Sequence, residues 1–517
     1  MTMRHPLPSA PSRRTVVQAL ALAALVPPMA LRAQQPAVDT LGPSAAAWRV
    51  LSRVGYGPTP LLAQSVRDLA SARAWAQAQV DVAYAQSQQA PQLPTEVADI
   101  DAPLATLFAR ARQEREARQL RKADASNDKT PSPYTRASFV NDQDPLRFSQ
   151  TMVRQAATWR LVGASQPELE NPLLARMTEF WFNHLNVYGG KGPVRPFVGH
   201  YAVHVARSHA LGKFEDLLLA SARHPAMLFY LDQFQSVADG APGRQGGTRG
   251  LNENYARELM ELHTLGVDGG YNQTDVRALA RILTGWTVSP NDSDGFRFAA
   301  RLHDNSRKRL LGQDFPRSLL AGGEREGEDA IRMLARQPAT ARRVSRRLAQ
   351  FFVADDPSPQ LVRTLSDVFL STQGDLRAVL RALFASTDFW VPANQLFKTP
   401  MDFALSALTV VQASAAEPVL SSAHLRRTGL TLAYLNSVGQ PVHGWQTPDG
   451  YAFDAATWLV PEALTRRADF ALALARQTDE PAFLRPYLGQ HTLDVIADQA
   501  APMRAGLMLA SADFMRK

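Results

Sequence analysis

The chain has 517 residues, of which 45% are hydrophobic and 20% charged, so it can bury a large core and is not a disordered protein. It contains no cysteine, which excludes disulfides, thiolate zinc sites, iron–sulfur clusters, c-type haem attachment and a cysteine nucleophile. The net charge of +8 falls to +4 without the four arginines of the first 33 residues, and the remaining Lys and Arg are scattered, which argues against nucleic-acid binding.

The first 33 residues have the order of a secretory signal. The segment Ser12-Arg13-Arg14-Thr15-Val16-Val17-Gln18 resembles the twin-arginine export motif, an apolar run follows over Val16–Ala30, and Ala33 offers a small residue for cleavage. The run is shorter than the ~20 apolar residues that a membrane span needs, and Pro27-Pro28 interrupts it. We therefore predict that residues 1–33 are a signal peptide and that the mature chain works in the periplasm without a transmembrane span.

Apolar residues recur every three or four positions from about residue 45 onward, which is the period of an α-helix. Strand signals are sparse: Phe296–Phe298 and Arg309–Leu311 are expected to pair as one hairpin around a turn at 303–306. The predicted fold class is therefore mainly α, a single large helical body over residues 34–517 with at most one small β-hairpin. Flexible loops are expected near residues 123–136 and 239–250. Helices are predicted over residues 104–124, 173–186, 253–265, 275–286, 327–336, 338–353, 358–371, 374–386, 399–413, 420–436 and 457–477.

A predicted helix near the middle of the chain carries the densest group of polar residues. At 100° per residue, Asn254, Glu258 and Glu261 lie on one face, and Arg257 flanks them. Two carboxylates and an amide can hold a hard cation or act as a general acid and base. The alternative is an ordinary amphipathic helix, with Arg257 paired to a neighbouring glutamate and His263 in the core behind it.

A second polar face is predicted on the helix over residues 173–186. Arg176, Glu179 and Asn183 are three and four positions apart, and His184 is set apart from them. The aromatic run around Trp181 could form the apolar walls of a pocket between helices. The alternative is that the aromatic run is simply core and that Asn183 bridges backbone groups.

Three weaker signals complete the survey. His200 and His204 have a spacing that metal sites use, but no third ligand is near in sequence, so a surface pair is favoured. His303-Asp304 could supply a base and its orienting carboxylate, although turns favour Asp for backbone reasons alone. The five glycines between residues 239 and 250 lack a phosphate-binding spacing and favour a mobile loop or lid.

Several longer sequence phrases are more specific than any single residue. They are Asn252–Gly266 followed by Tyr271, Asp275-Val276 and Leu283–Trp286, then Glu179–His184, Pro225–Asp232, His303-Asp304, Phe397–Pro400 and Gly439–Pro441. Over roughly residues 46–516 they resemble the bacterial family catalogued as domain of unknown function number 1800. One departure is Asn305, where such sequences often have a glycine after His-Asp.

The resemblance implies an exported, largely helical protein, and the family carries no established reaction. Its members are often encoded beside a second exported family, numbered 1501, which is similar to the sulfatase and phosphatase superfamily. The resemblance favours a functional interpretation of the polar clusters over a purely structural one.

We predict a periplasmic hydrolytic enzyme that acts on an envelope or polymeric substrate. The alternatives are a non-catalytic scaffold or partner of the co-encoded phosphatase-like protein, and a binding protein for a small or polymeric ligand. The cofactor is not specified by the sequence, although a divalent cation would suit the available oxygen and nitrogen ligands. The predicted catalytic residues are Glu258, Glu261, His184, His303 and Asp304, and the predicted substrate-binding residues are Asn183, Asn254, Arg257, Trp181 and Trp286.

Overall fold

The structure of the chain is a computed structural model in which helices dominate, and this confirms the prediction of a mainly α fold. The residues that it describes are 41–127, 144–241, 250–318, 322–415, 418–476 and 478–517. The predicted signal peptide lies outside these residues, as does most of each predicted loop. Within the described residues, none of the helices combines the length and the apolar character that crossing a membrane requires.

The α-helices are numbered here in chain order. The first eleven are α1 (Pro43–Arg53), α2 (Pro60–Ser65), α3 (Leu69–Ser87), α4 (Leu104–Asn127), α5 (Phe148–Ser165), α6 (Pro172–His184), α7 (Val198–Tyr201), α8 (Phe214–Arg223), α9 (Pro225–Tyr230), α10 (Glu253–Glu258) and α11 (Gln273–Ile282). The others are α12 (Glu324–Ala335), α13 (Pro338–Phe352), α14 (Pro359–Ser371), α15 (Leu376–Ala385), α16 (Thr387–Trp390), α17 (Pro400–Ala415), α18 (Ser422–Ser437), α19 (Ala455–Trp458), α20 (Pro461–Ala475), α21 (Gln490–Ala497) and α22 (Ala501–Ala510). Two π-helical turns, Ala202–Arg207 and Leu259–Thr264, continue α7 and α10 directly.

The helix boundaries follow from capping residues that are visible in the sequence. The Asn171 side chain accepts hydrogen bonds from the first free N–H groups of α6, and Pro172 occupies the first helical position. Asn272 and Asp275 form a reciprocal capping box at the start of α11. The predicted helices therefore agree with the observed ones to within a few residues. α4 continues to Asn127, beyond the predicted end of this helix at residue 124.

The predicted pairing of residues 296–298 with residues 309–311 in one hairpin was wrong, because each segment belongs to a separate hairpin. Strand β1 (Trp286–Val288) pairs with β2 (Phe296–Phe298), and β3 (Lys308–Leu310) pairs with β4 (Gln313–Phe315), both antiparallel. Leu311-Gly312 forms the tight turn of the second hairpin, with φ of 47° and 78°. Two consecutive left-handed residues are the geometry of a two-residue hairpin turn, so the segment after residue 308 folds back on itself and not onto residues 296–298.

Two groups of buried side chains form the core. The larger group draws on α1, α3–α16 and the first hairpin, between Ala46 and Trp390. The smaller group lies among α17–α22, between Met401 and Met515, and it also contains Leu161 of α5. The end of the chain returns to the segment before α17, where the backbones of residues 396 and 517 exchange two hydrogen bonds of 3.1 and 2.9 Å.

A buried ion cluster lies where these two groups meet. Asp402 of α17 accepts hydrogen bonds from Arg176 of α6 and from the Nζ of Lys517, the latter at 2.5 Å. Arg53 of α1 donates to the backbone oxygen of Lys517 at 2.9 Å and to that of Phe352 at 3.1 Å. Burial alone would raise the pKa of the Asp402 carboxyl, but the charges of Arg176 and Lys517 lower it below its ordinary value. The carboxylate therefore stays ionised and joins three distant parts of the chain.

Replacing Asp402 by alanine is expected to lower the free energy of unfolding by about 3–5 kcal/mol, because it leaves buried cations without their counter-ion. Urea unfolding followed by circular dichroism measures the change. The control is Glu462→Ala, which removes an exposed carboxylate paired with Arg466 on the same helix and should cost less than about 1 kcal/mol. Equal losses in the two variants would contradict the role given to Asp402.

Candidate active site

Glu258 lies within electrostatic range of two other carboxylates, Glu261 and Asp449, and we call the three residues the carboxylate cluster. Glu258 is half-buried at the end of α10, and Asp449 is exposed on the connection between α18 and α19. Burial is the largest cause that raises the pKa of Glu258, and the negative charges of Glu261 and Asp449 raise it further, against the charge of Arg257. Within the described part of the chain, the Glu258 carboxylate has no hydrogen-bond or ion-pair partner.

Two tyrosines connect the elements that carry the carboxylate cluster. The Tyr230 hydroxyl, at the end of α9, donates to the backbone oxygen of Gln446 at 2.7 Å. Burial raises the pKa of Tyr230, and the charges of Glu258 and Asp449 raise it further, which places this ring near both carboxylates. The Tyr271 hydroxyl donates to the Glu261 Oε2 at 3.3 Å. Three separate segments of the chain therefore converge on the cluster.

The π-helical turn Leu259–Thr264 lies between Glu258 and the buried end of the same helix. The Thr264 hydroxyl donates to the backbone oxygen of Leu259, five residues earlier, at 2.7 Å. A π turn inserts one residue into the helical repeat, so the faces calculated for a regular α-helix shift after Glu258. His263 lies in this turn and is buried, in agreement with its predicted place on the apolar face.

Two arginines of α13 lie beside the carboxylate cluster. The Arg343 Nε donates to the backbone oxygen of Leu262 at 2.9 Å, at the π-helical turn. Arg347 stacks over the Phe453 ring at 5.3 Å, and its Nε and Nη2 are buried without a partner among the described residues. Burial and the charge of Arg343 lower the pKa of Arg347 to about 10, while the Asp449 charge opposes this. Arg347 therefore brings a positive charge and two unused N–H donors to the region of Asp449.

The connection that carries Asp449 is fixed on the end of α6. The Asn183 side chain accepts from the backbone N–H of Tyr451 at 2.8 Å and donates to its oxygen at 3.0 Å. The Tyr451 hydroxyl donates to Glu179, which also accepts from Arg160. Gly450 has a φ of 71°, and a Cβ at this position would collide with the Asn183 carbonyl and side-chain oxygens. Asn183 thus positions the neighbour of Asp449 and faces no open pocket.

His184 lies inside the protein, beneath the carboxylate cluster. It is 2% exposed, and its Nε2 lies 3.1 Å from the backbone oxygen of His263. Burial lowers the pKa of His184 well below its ordinary value, and the charges of Arg347 and Arg343 lower it further. A neutral imidazole sealed from water in this way is suited to packing, so the structure gives the predicted catalytic His184 a supporting position.

His303 and Asp304 belong to a different polar cluster, beside the second hairpin. The His303 Nδ1 lies 2.9 Å from the backbone oxygen of Thr284, and its Nε2 lies 3.1 Å from the Glu326 carboxylate. Asp304 accepts from the Arg281 Nε at 2.7 Å. Burial raises its pKa, but the hydrogen bonds from Arg281 and Ser306 and the charge of Arg281 together outweigh burial and lower the pKa to about 2. Among the described residues, the hydrogen-bond partners of His303 and Asp304 include none of the three carboxylates, so the structure does not bring this pair to the cluster.

The predicted substrate-binding residues have mixed positions. Trp181 is fully buried and donates to the backbone oxygen of Ala210 at 2.9 Å, and Trp286 is fully buried in the core. Asn254 is exposed on α10. Arg257 lies on the same helix and donates to the Gln273 Oε1 at 2.8 Å. The two tryptophans therefore stabilise the core, whereas Asn254 and Arg257 remain near the cluster and accessible to a ligand.

The histidine pair at residues 200 and 204 is not the simple surface pair expected. Their rings stack 3.9 Å apart, and the His200 Nδ1 lies 3.0 Å from the Nε2 of His224. The His204 Nε2 lies 2.6 Å from Asp101. Among the described residues, no group of three or more His, Asp or Glu side chains has a geometry that could hold a metal ion.

Sequence reasoning missed Asp449, Arg343, Arg347 and Tyr230. Arg343 and Arg347 are four apart in a predicted helix, which places them on one face, but four arginines in that helix read as an ordinary charged surface. Asp449 follows Thr447-Pro448 and precedes a glycine, which is a turn pattern with no catalytic signature. Only the folded chain shows that this turn lies against α6.

Comparison with known proteins gives a family but no function. A search of curated proteins and a search of solved structures each found no match to the chain. A family model matches residues 49–516, nearly the whole chain, and this confirms the resemblance found in the sequence phrases. The chain therefore belongs to the family described as Protein of unknown function (DUF1800).

Proposed function

We propose that this chain is an exported hydrolase that uses the carboxylate cluster for acid–base cleavage of an envelope or polymeric substrate. One observation carries the proposal: Glu258 is a half-buried acid with a raised pKa and no partner among the described residues, near two other carboxylates. General acid–base catalysis needs one carboxyl group that holds its proton and one that does not, and neighbouring negative charges separate their pKa values in this way.

The residues divide into three roles. Glu258 donates its proton to the oxygen of the leaving group. Glu261, which accepts the Tyr271 hydroxyl, takes a proton from water, whose oxygen bonds to the electrophilic centre. The charge of Asp449 raises the pKa of Glu258, and the buried positive charge of Arg347 acts through space on negative charge that develops on the substrate.

The exposure of the cluster favours a large substrate. Asp449 and Asn254 are exposed, and Glu258 and Glu261 are half-buried. An extended polymer can cross such a surface and bring one bond to the carboxylates, whereas a small molecule needs a deeper pocket to bury most of its surface.

The periplasmic location rests on the arginine pair in Ser12–Gln18 and the apolar run after it. A variant with lysine at both Arg13 and Arg14 should remain in the cytoplasm, as measured by cell fractionation and by the length of the recovered chain. Normal appearance of this variant in the periplasm would contradict the twin-arginine route.

Glu258→Gln is expected to lower the rate of substrate cleavage by about 10²–10⁴-fold, because an amide cannot donate a proton to the leaving group. The assay incubates the purified protein with isolated peptidoglycan, lipopolysaccharide and secreted polysaccharide, and mass spectrometry measures the soluble fragments released. The matched control is Glu253→Gln, on the same helix, whose carboxylate accepts from the Gln273 side chain. This control should cleave the substrate at the rate of the parent protein. The free energy of unfolding of both variants should lie within about 0.5 kcal/mol of that of the parent.

The outcomes separate the enzyme from the scaffold. Fragment release that disappears only in Glu258→Gln supports the proposal. No release from any polymer, or equal release by parent and Glu258→Gln, would overturn it and favour the non-catalytic partner of the co-encoded phosphatase-like protein.

Asp449→Asn is expected to move the alkaline limb of the pH–rate profile to lower pH. The Asp449 charge raises the pKa of Glu258, and the rate falls as rising pH removes the Glu258 proton, so a lower pKa brings this fall at lower pH. The rate of fragment release is measured between about pH 4 and pH 9, the range in which carboxyl groups with a raised pKa titrate. Asp469→Asn, an exposed residue of α20, is the control and should leave the limb in place; an unmoved limb in Asp449→Asn contradicts the assignment.

A further inference from the structure

A second concave site lies on another side of the molecule. Its volume is about 1220 Å³, and it is bounded by α4, the segment 192–197, the end of α9 with the residues after it, and the first hairpin. None of the residues that line it belongs to the carboxylate cluster. The end of α9 connects the two sites, since Phe229 lines this cavity and Tyr230 contacts the connection that carries Asp449.

The floor of this cavity is aromatic. A continuous group of rings is formed by Phe108, Phe197, Phe229 and Phe234. The ring centroids of Phe108 and Phe197 are 4.6 Å apart, those of Phe197 and Phe229 are 5.8 Å apart, and those of Phe229 and Phe234 are 5.0 Å apart. Three of these rings are only half-buried. Half-buried rings gathered in a concave surface indicate a binding site, because scattered exposed apolar residues do not assemble in this way.

The rim of the cavity is cationic. Four arginines line it, Arg115, Arg118, Arg195 and Arg301, against the single carboxylate of Glu114. Glu114 is already satisfied, since it accepts from Arg118 at 2.7 Å and from the backbone N–H and hydroxyl of Ser149.

Two of the four arginines have guanidinium groups that are available to bind a ligand. Arg195 donates to the backbone oxygen of Gly190 at 3.0 Å. Arg115 and Arg301 are exposed, and among the described residues they have no hydrogen-bond or ion-pair partner. The rim therefore has an excess of positive charge with two guanidinium groups free to bind an anion.

We propose that this cavity binds a single acyl-chain molecule with an anionic headgroup. Apart from the charged rim, the lining side chains are aromatic and aliphatic except for the hydroxyls of Ser149 and Thr287. These hydroxyls already donate to Glu114 and to the backbone oxygen of Phe234, so the buried part of the ligand is hydrocarbon and not sugar. The free arginines at the rim select a carboxylate or phosphate at the exposed end. The volume is larger than the upper end of about 1000 Å³ for small-molecule pockets, which suits a long chain.

The test measures binding of dodecanoate, hexadecanoate and lysophosphatidate to the purified full chain by isothermal titration calorimetry, below the critical micelle concentration of each. We expect saturable one-to-one binding that tightens by about three- to fourfold per added methylene. Tighter binding of the fatty acid or of the lysophosphatidate identifies which headgroup the rim selects, and either result supports the proposal. Monododecanoyl glycerol, the uncharged analogue, should bind at least about tenfold more weakly than dodecanoate.

Removal of the free arginines in the double variant R115A/R301A should weaken dodecanoate binding by about tenfold and reduce its dependence on salt. The matched control R112A/R307A removes two other exposed arginines, one of them on the same helix, and neither lines the cavity. This control should bind as the parent does.

Three results would overturn the inference: no binding of any of the lipids, equal affinity for the charged and uncharged analogues, or equal weakening in the two double variants. Binding to anionic phospholipid vesicles without binding of monomeric lipid would also overturn it, since it would indicate a membrane-facing surface. The proposal does not depend on the hydrolase, because Glu258→Gln should leave lipid binding unchanged.

Discussion

The buried ion cluster around Asp402 is the interaction on which the arrangement of the chain depends. Its members come from α6, α17 and the last residue, and Arg53 of α1 joins them through backbone oxygens. Buried charges are costly unless each has a partner, so these segments can come together only in the register that pairs them. The cluster thus fixes α6 against the C-terminal helices, and α6 in turn supports the candidate active site.

The polar side chains of α6 each bind another segment of the chain. Arg176 binds Asp402, Glu179 binds Arg160 and the Tyr451 hydroxyl, and Asn183 binds the Tyr451 backbone. The contacts of Glu179 and Asn183 with Tyr451 hold the connection after α18 against the helix, and that connection carries Asp449. The groups of this polar face are therefore internal contacts, and they support the segment that carries part of the candidate active site.

Local features were predictable and their tertiary consequences were not. Helix boundaries followed from caps such as Asn171 and Asn272, because a cap acts within one turn. The prediction of strand pairing was wrong because the second hairpin depends on a left-handed backbone conformation at Leu311. Leucine rarely adopts this conformation, so the sequence does not indicate it. Glu258 and Glu261 were singled out because a regular α-helix would place them on one face, although the π-helical turn shifts that face. Asp449 and Arg347 come from segments far along the chain, and periodicity carries no information about which segments meet.

Gly450 has a consequence for how the candidate active site works. Because there is no space for even one carbon atom between this residue and Asn183, the backbone next to Asp449 is held by shape as well as by two hydrogen bonds. If Asp449 acts as proposed above, the backbone that carries it is in place before a substrate arrives, so little of its reorganisation is left for the moment of reaction. Movement on substrate binding would then come from exposed side chains such as Asn254 on α10, which can change rotamer.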